Sequence, residues 1–166
     1  MKKIAVLSDT HGHLPENVLK YFADCDEIWH AGDVGDITII RKLSSLKPFK
    51  AVYGNIDGKD ISALIPENQI FMCESKKILI THIAGKPGKY TARVKKILLD
   101  EKPDMLVCGH SHILQIAHDT VYNTLFINPG ACGNEGFHKV KTIIRFTIDY
   151  HVIKDMQVIE LGKRGN

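Results

Sequence analysis

Short apolar runs alternate with amphipathic stretches over the first half of the chain, the pattern of strand and helix in turn. Lys3–Ser8 reads as a strand. Leu14–Ala23 then reads as a helix, with Pro15 in its first turn and Leu14, Val18, Leu19 and Phe22 on one face. Glu27–Ala31 and Phe49–Tyr53 read as strands, and between them Asp36 is placed to cap a helix running to about Leu46. Gln69–Cys73 and Lys77–Thr81, parted by Glu74-Ser75-Lys76, read as a hairpin that breaks the alternation. Gly88–Lys102 carries Tyr90, Val94, Ile97 and Leu98 at helical spacing, and a strand follows at Met105–Cys108. The last third is β-rich, with runs at Leu114–Ala117, Val121–Ile127, Val140–Ile148 and Val152–Leu161 joined by polar turns. An α/β arrangement in which helices flank two layers of sheet is the natural way to bury such a set. No repeat or linker divides the chain, so a single domain over residues 1–166 is expected.

Composition narrows the class. At 166 residues, 44% hydrophobic and 25% charged, the chain has the makings of a sizeable core, which excludes disorder. Its longest apolar runs fall far short of the roughly 20 residues of a membrane helix. Lys2 and Lys3 imitate the start of a signal peptide, but the apolar stretch after them ends at Ser8-Asp9, so a cytoplasmic location and no membrane partner are expected. The four Cys show no Cys-x-x-Cys pair and read as reduced, buried thiols. Net charge is only +3, yet Lys76–Lys102 holds seven Lys and one Arg against Asp100 and Glu101: a solvated helix face, or a weak attraction for phosphate-bearing ligands. Nine His in a Cys-poor chain direct attention to a metal site of nitrogen and oxygen donors.

The residues just beyond each apolar run carry the chemistry. The first strand ends in Asp9-Thr10-His11, the second in Gly32-Asp33, the third in Gly54-Asn55, the hairpin in His82, and the Met105 strand in Gly109-His110-Ser111-His112. Sites of open α/β sheets lie just beyond the carboxyl ends of strands. The i, i+2 pairs Asp9/His11 and His110/His112 share a face if the chain stays roughly extended, and Gly32, Gly54 and Gly109 are expected to turn the backbone sharply. Any one of these residues taken alone is an ordinary turn Asp or hydrogen-bonded His; coincidence at five strand ends is not ordinary. Asp9, His11, Asp33, Asn55, His82, His110 and His112 make seven donors, too many for one ion and suited to two that share a carboxylate, for which Asp33 is the best candidate.

Asp9-x-His11, Gly32-Asp33, Gly54-Asn55-x-Asp57, His82 and Gly109-His110-x-His112 resemble the ordered motifs of the calcineurin-like metallophosphoesterases, and Asn128-Pro129-Gly130 resembles a further turn of their small bacterial and archaeal phosphodiesterases. The resemblance implies a four-layer α/β/β/α sandwich of two mixed sheets flanked by helices. It also implies two divalent ions, one held by Asp9, His11, Asp33 and His112, the other by Asp33, Asn55, His82 and His110. A hydroxide shared by the ions would attack the phosphorus, with Asp33, Asn55 and His82 serving catalysis as well as ligation. The donor set suits manganese, iron, nickel or zinc, and the resemblance favours manganese.

Two departures matter. Many relatives carry a His after Gly-Asn, thought to protonate the leaving group, where this chain has Ile56; Asp57 stands beside it, able to orient an imidazole placed there. Relatives often follow the hairpin His with Gly-His, where this chain has Ile83-Ala84 and then Gly85-Lys86. Lys86 and His13 are the expected substrate contacts. His30 reads as a support for ligands or a satisfied core residue, and His118, His138 and His151 as structural or surface residues. The expected activity is a metal-dependent phosphodiesterase acting on a small phosphodiester. Nucleic acid is disfavoured by the modest charge, and homo-oligomerisation is left open. The alternative is a protein-interaction scaffold of the retromer-subunit type with vestigial catalysis.

Overall fold

In the computed structural model, which describes residues 1–165, the first half of the chain builds one sheet and its helices. Strands β1 (Lys2–Leu7), β2 (Glu27–His30) and β3 (Phe49–Ala51) run parallel, connected through a 3-10 turn (Glu16–Val18), α1 (Leu19–Phe22) and α2 (Ile37–Leu46). A short helix, α3 (Lys59–Ser62), leads to a hairpin of β4 (Asn68–Cys73) and β5 (Lys76–Thr81). A ribbon of β6 (Gly85–Lys86) and β7 (Lys89–Tyr90) precedes α4 (Ala92–Glu101). β8 (Met105–Val107), β9 (Leu114–Asp119), β10 (Thr124–Pro129), β11 (Val140–Asp149) and β12 (Val152–Lys163) complete the fold. One five-stranded sheet is ordered β12-β11-β1-β2-β3 and the other β4-β5-β8-β10-β9. β5, β8 and β10 are mutually parallel, and the outer strands β4, β9, β11 and β12 pair antiparallel, so both sheets are mixed.

Residues point alternately to the two faces of a strand, and here both faces are apolar. In β1, Ala5 and Leu7 pack toward α1 and α2, while Ile4 and Val6 pack between the sheets with Trp29, Ile78, Val107 and Phe146. On the far side Leu79, Leu106 and Phe126 meet Val94 and Leu98 of α4. Three apolar seams thus bind four layers, α/β/β/α, and each fully buried aliphatic side chain contributes roughly 1.5–3 kcal/mol relative to exposure. No helix among the described residues is long and apolar enough to cross a membrane.

Several boundaries differ from the sequence reading. Pro15 is not in the first turn of the Leu14–Ala23 helix but precedes a tight 3-10 turn, since its ψ of 131° is not helical. α4 begins at Ala92, not Gly88: Thr91 caps it by accepting from the Val94 N–H at 3.3 Å, and Tyr90, which kept helical spacing, belongs to the ribbon. Val121–Asn123 is a turn rather than strand, held by Asp119 Oδ1 accepting from the Val121 N–H at 2.9 Å. The Asp36 cap is present, its carboxylate accepting from the Thr38 N–H at 2.8 Å.

Candidate metal centre

The carboxyl ends of β1, β2, β3, β5 and β8 gather at one edge, and the seven donors gather with them. Asp9, His11 and His112 form one group and Asp33, His82 and His110 another, the ligating atoms of each lying within 4.8 Å of one another. Asp33 joins them: Oδ2 lies 3.3 Å from His11 Nε2, and Oδ1 lies 3.2 Å from His82 Nε2. Asp9 Oδ1 is 3.2 Å from His112 Nε2 and 3.8 Å from His11 Nε2. Asn55 Oδ1 stands 3.2 Å from His82 Nε2 and 3.0 Å from His110 Nδ1.

These atoms fit divalent ions. The His82 Nδ1–H donates to the Ala31 carbonyl at 2.7 Å, which leaves Nε2 of the neutral ring with a lone pair facing the oxygens of Asn55 and Asp33. In that neutral form three electron pairs converge with no hydrogen between them, an arrangement a cation satisfies. Asp9 Oδ1 and His11 Nε2 are buried and make no hydrogen bond. Burial opposes the charges on Asp9 and Asp33, yet His11 with His112, and His11 with His82, hold the two carboxyls well below the usual range. The Asp33 and Asp9 carboxylates in turn push His11 up to about 9, and Asp33 raises His82 against its burial. Buried negative charge here calls for positive charge.

The loops reach this geometry in a way the sequence reading did not foresee. The chain is not extended at the i, i+2 pairs: Asp9, His11, Asp33, His110 and His112 adopt left-handed φ of 54°, 46°, 52°, 70° and 58°. Each such non-glycine residue costs on the order of 1–3 kcal/mol and persists only where its surroundings over-determine it. Here they do. The Asp9, His11 and Gly12 N–H groups donate to the carbonyls of Gly32, Asp33 and Val34 at 2.9, 3.0 and 2.8 Å, zipping the first two loops together. The His110 N–H donates to Asp9 Oδ2 at 3.2 Å, tying in the last. Of the three glycines expected to turn sharply, only Gly32 has a positive φ, 98°. Gly54 and Gly109 are needed for space: a Cβ at Gly54 would strike the Asp33 carboxylate, and one at Gly109 the Ser8 hydroxyl.

Supporting residues fall into place around the donors. His30, fully buried, accepts from the Gly32 N–H at 3.2 Å through Nδ1 and donates through Nε2–H to Thr10 Oγ1 at 3.0 Å, whose hydroxyl donates onward to the Val34 carbonyl at 2.8 Å. Burial lowers it to about 4, so it is a neutral brace for two loops. Asp57 is not free to orient an imidazole at position 56: it accepts from the N–H groups of Val34, Gly35 and Gly54 at 3.1, 2.8 and 2.8 Å. Ile56 instead contributes its backbone, donating to Asp33 Oδ1 at 3.1 Å. Asn128 donates to the Gly109 carbonyl at 2.9 Å and to Ser111 Oγ at 3.0 Å, steadying the His110–His112 loop.

His13 and Lys86 are exposed; Lys86 lines a cavity of about 310 Å³ that reaches His110, and His13 anchors its loop through an N–H to the Thr10 carbonyl at 2.8 Å. Two residues near the site escaped the sequence reading. His138, grouped there with structural or surface residues, stacks edge-on against His112 at 5.2 Å. Arg93, counted there only as charge, lines a cavity of about 170 Å³ with His82 and Asn55 and ties the loop after His82 by donating to the Ile83 carbonyl at 3.1 Å. The single signal for Arg93 was its being the one Arg among seven Lys between Lys76 and Lys102.

The sequence profile of the calcineurin-like phosphoesterase superfamily domain matches residues 1–151. The chain belongs to this superfamily. Its metallophosphoesterase relatives include a probable metallophosphoesterase of Methanothermobacter thermautotrophicus, 31% identical over 77% of this chain and 76% of that protein. A phosphodiesterase of Methanocaldococcus jannaschii is 29% identical over 78% of this chain and 84% of that one. Among solved structures, an archaeal phosphodiesterase is 26% identical, covers 96% of this chain and 99% of its own, and superposes with a TM-score of 0.76. Vps29 of Chaetomium thermophilum reaches 0.77 over 99% of this chain and 100% of its own at 16% identity, a likeness of metallophosphoesterase fold alone.

Proposed function

We propose that this metallophosphoesterase is a phosphodiesterase with a dinuclear site, acting as a single domain over residues 1–166 on a small phosphodiester. The observation that carries the reading is the split of Asp33, one carboxylate oxygen toward each donor group. Asp9, His11, Asp33 and His112 would hold one ion, and Asp33, Asn55, His82 and His110 the other. Two divalent ions, manganese by preference, supply Lewis acidity toward the phosphoryl oxygens and activation of water. The chain's own part is to fix the donors: Ala31 sets the His82 tautomer, the Ile56 N–H steadies the Asp33 oxygen, and the left-handed loops aim the imidazoles. With Ile56 in place of an acid and Asp57 committed to backbone, this residue pair offers no proton to the leaving group, which favours esters whose alcohol departs as a stable anion. His13 and Lys86 are assigned to substrate. The four free, buried cysteines fit a reducing, cytoplasmic setting.

The scaffold reading rests on the Vps29 fold, whereas seven intact donors support catalysis. Metal analysis after dialysis against manganese, paired with hydrolysis of bis(p-nitrophenyl) phosphate, tests the proposal. About two ions per chain and metal-dependent turnover are expected; one ion or fewer would remove the dinuclear site, and full occupancy without turnover would favour the scaffold.

A further inference from the structure

Beside the His110 end of the site lies the cavity of about 310 Å³ that Lys86 lines, walled by the β6–β7 ribbon on one side and the His110–His112 loop on the other. Its lining is cationic and contains no Asp or Glu: Lys86 and Lys89 stand with Ser111, Gln115 and Ile113. The two lysines differ from four of the cations near them in sequence. On β5 and α4, Lys76, Lys77, Arg93 and Lys96 each face an acid, Asp104, Glu101, Glu67 and Asp100 in turn. Lys86 and Lys89, like Lys95 and Lys102, have no acidic partner among the described residues, but Lys86 and Lys89 are the two that line the cavity beside His110.

The ribbon that carries them is built, not loose. Tyr90, only 5% exposed, packs under it against the α4 seam, and the Thr91 N–H closes its base on the Ala84 carbonyl at 3.0 Å. Gly85 (φ 82°) is forced, because a Cβ there would strike the Lys89 carbonyl. In this ribbon Lys86 and Lys89 are directly opposite one another. Directly opposed residues share a face, and like charges so placed destabilise a strand pair. Opposed residues at the rim of this cavity thus bring two unpaired cations to one face, where an anion would relieve their repulsion. Ser111 and Gln115 add hydrogen-bonding groups, and Ile113, 65% exposed, adds an apolar wall for a short carbon chain.

We propose that this cavity is a subsite for one arm of the diester, and that this arm carries a second anionic group, a phosphate or a carboxylate, received between Lys86 and Lys89. The inference rests on the phosphodiesterase reading and deepens it by stating what the substrate's non-leaving arm contains. The arm would extend past His110 along Ile113, with its charge at the ribbon. Separate pockets flank the donors at His82 and at His110, as a two-armed ester requires and a monoester does not.

Three p-nitrophenyl phosphodiesters test it in the manganese-loaded protein, differing only in the second arm: propyl, 2-carboxyethyl and 2-phosphonoethyl. In each, water adds to phosphorus and gives up a proton to solvent, the bond to the aryl oxygen breaks, and p-nitrophenolate leaves with the electron pair. KM for the charged arms is expected to be about fivefold to tenfold below that for propyl, the scale of one or two partly exposed ion pairs. The advantage should shrink as ionic strength rises from about 0.01 M to 0.15 M. In the Lys86→Gln/Lys89→Gln variant the ratio of propyl to charged-arm KM should fall to about one. Whether carboxylate or phosphonate gains more identifies the anion. Turnover of all three probes with equal, salt-insensitive KM in the wild type would overturn this inference alone, as would a preference that survives loss of both lysines. Absence of turnover of all three probes would remove the phosphodiesterase reading and this one with it.

Discussion

Asp33 is the residue on which the two donor groups depend together. Its oxygens stand 3.3 and 3.2 Å from His11 and His82, whereas the carboxylates that His11 Nε2 faces are those of Asp9 and Asp33. Asp33→Ala is therefore expected to leave less than one ion per chain, and His11→Ala about one, held by Asp33, Asn55, His82 and His110. Metal analysis of the two variants at equal manganese would settle the difference; matching contents would mean that Asp33 does not bridge. His30 acts at the same scale through its proton. Its folded pKa, about 4, lies below its ordinary 6.5, so between these values the unfolded chain binds the proton and the folded one does not. Its contribution to stability is complete above about pH 6.5 and falls with pH, by roughly 3 kcal/mol at pH 4. Denaturant unfolding in the presence of chelator should show the gap between wild type and His30→Gln narrowing over that window. The carboxylate and imidazole titrations common to both proteins cancel in the difference.

Elements deliver these residues through loops that no periodicity describes. All seven donors were legible because each lies closely behind an apolar run, and apolar runs mark strands. The left-handed backbone at five of them was not, since nothing in Asp9-Thr10-His11 distinguishes an extended chain from a coiled one; the interloop hydrogen bonds decide. The β6–β7 ribbon was missed for a related reason. Strands of two residues have no period, and Tyr90 happens to keep helical spacing with Val94 and Ile97. α3, at four residues, is equally short of a pattern. Glycines were read as turn-makers when two of them serve as clearance. Gly54→Ala is accordingly expected to cost about 1–3 kcal/mol and to lower metal content, because the new methyl meets the Asp33 carboxylate and backbone. Gly58→Ala, whose Cβ would meet only the mobile end of Asp60 at 3.0 Å, should stay within about 1 kcal/mol and keep its metal. Melting temperatures and metal analysis of the two variants compare clearance with composition directly.

For the whole molecule, the donors are divided between the sheets. Asp9, His11, Asp33 and Asn55 extend from β1, β2 and β3 of one sheet, and His82, His110 and His112 from β5 and β8 of the other. Each proposed ion would draw on both sheets, His112 joining the first set and His82 with His110 the second. The sheets are otherwise held together by side-chain packing, with Trp29 of one set against Phe71 of the other at 5.3 Å, and by a few backbone contacts at the loop edge such as the Cys132 and Gly133 N–H groups donating to the Ser8 and Asp9 carbonyls at 2.9 and 3.1 Å. Metal would therefore act as a clasp between layers at the very edge where the left-handed loops store strain. A ligand that binds only the folded state stabilises it by about 2.7 kcal/mol at a hundred times its dissociation constant. For a domain of this size each kcal/mol raises the melting temperature by roughly 2–4 °C, so each manganese ion should raise it by about 5–10 °C. Because the clasp has a member on each sheet, His112→Ala and His11→Ala should both forfeit the share of the first ion, and His82→Ala that of the second, while Asp33→Ala forfeits nearly all of it. Thermal unfolding across a manganese titration would register these four responses. A full shift retained in Asp33→Ala would show that the stabilising metal binds elsewhere, and the two-sheet centre would have to be abandoned.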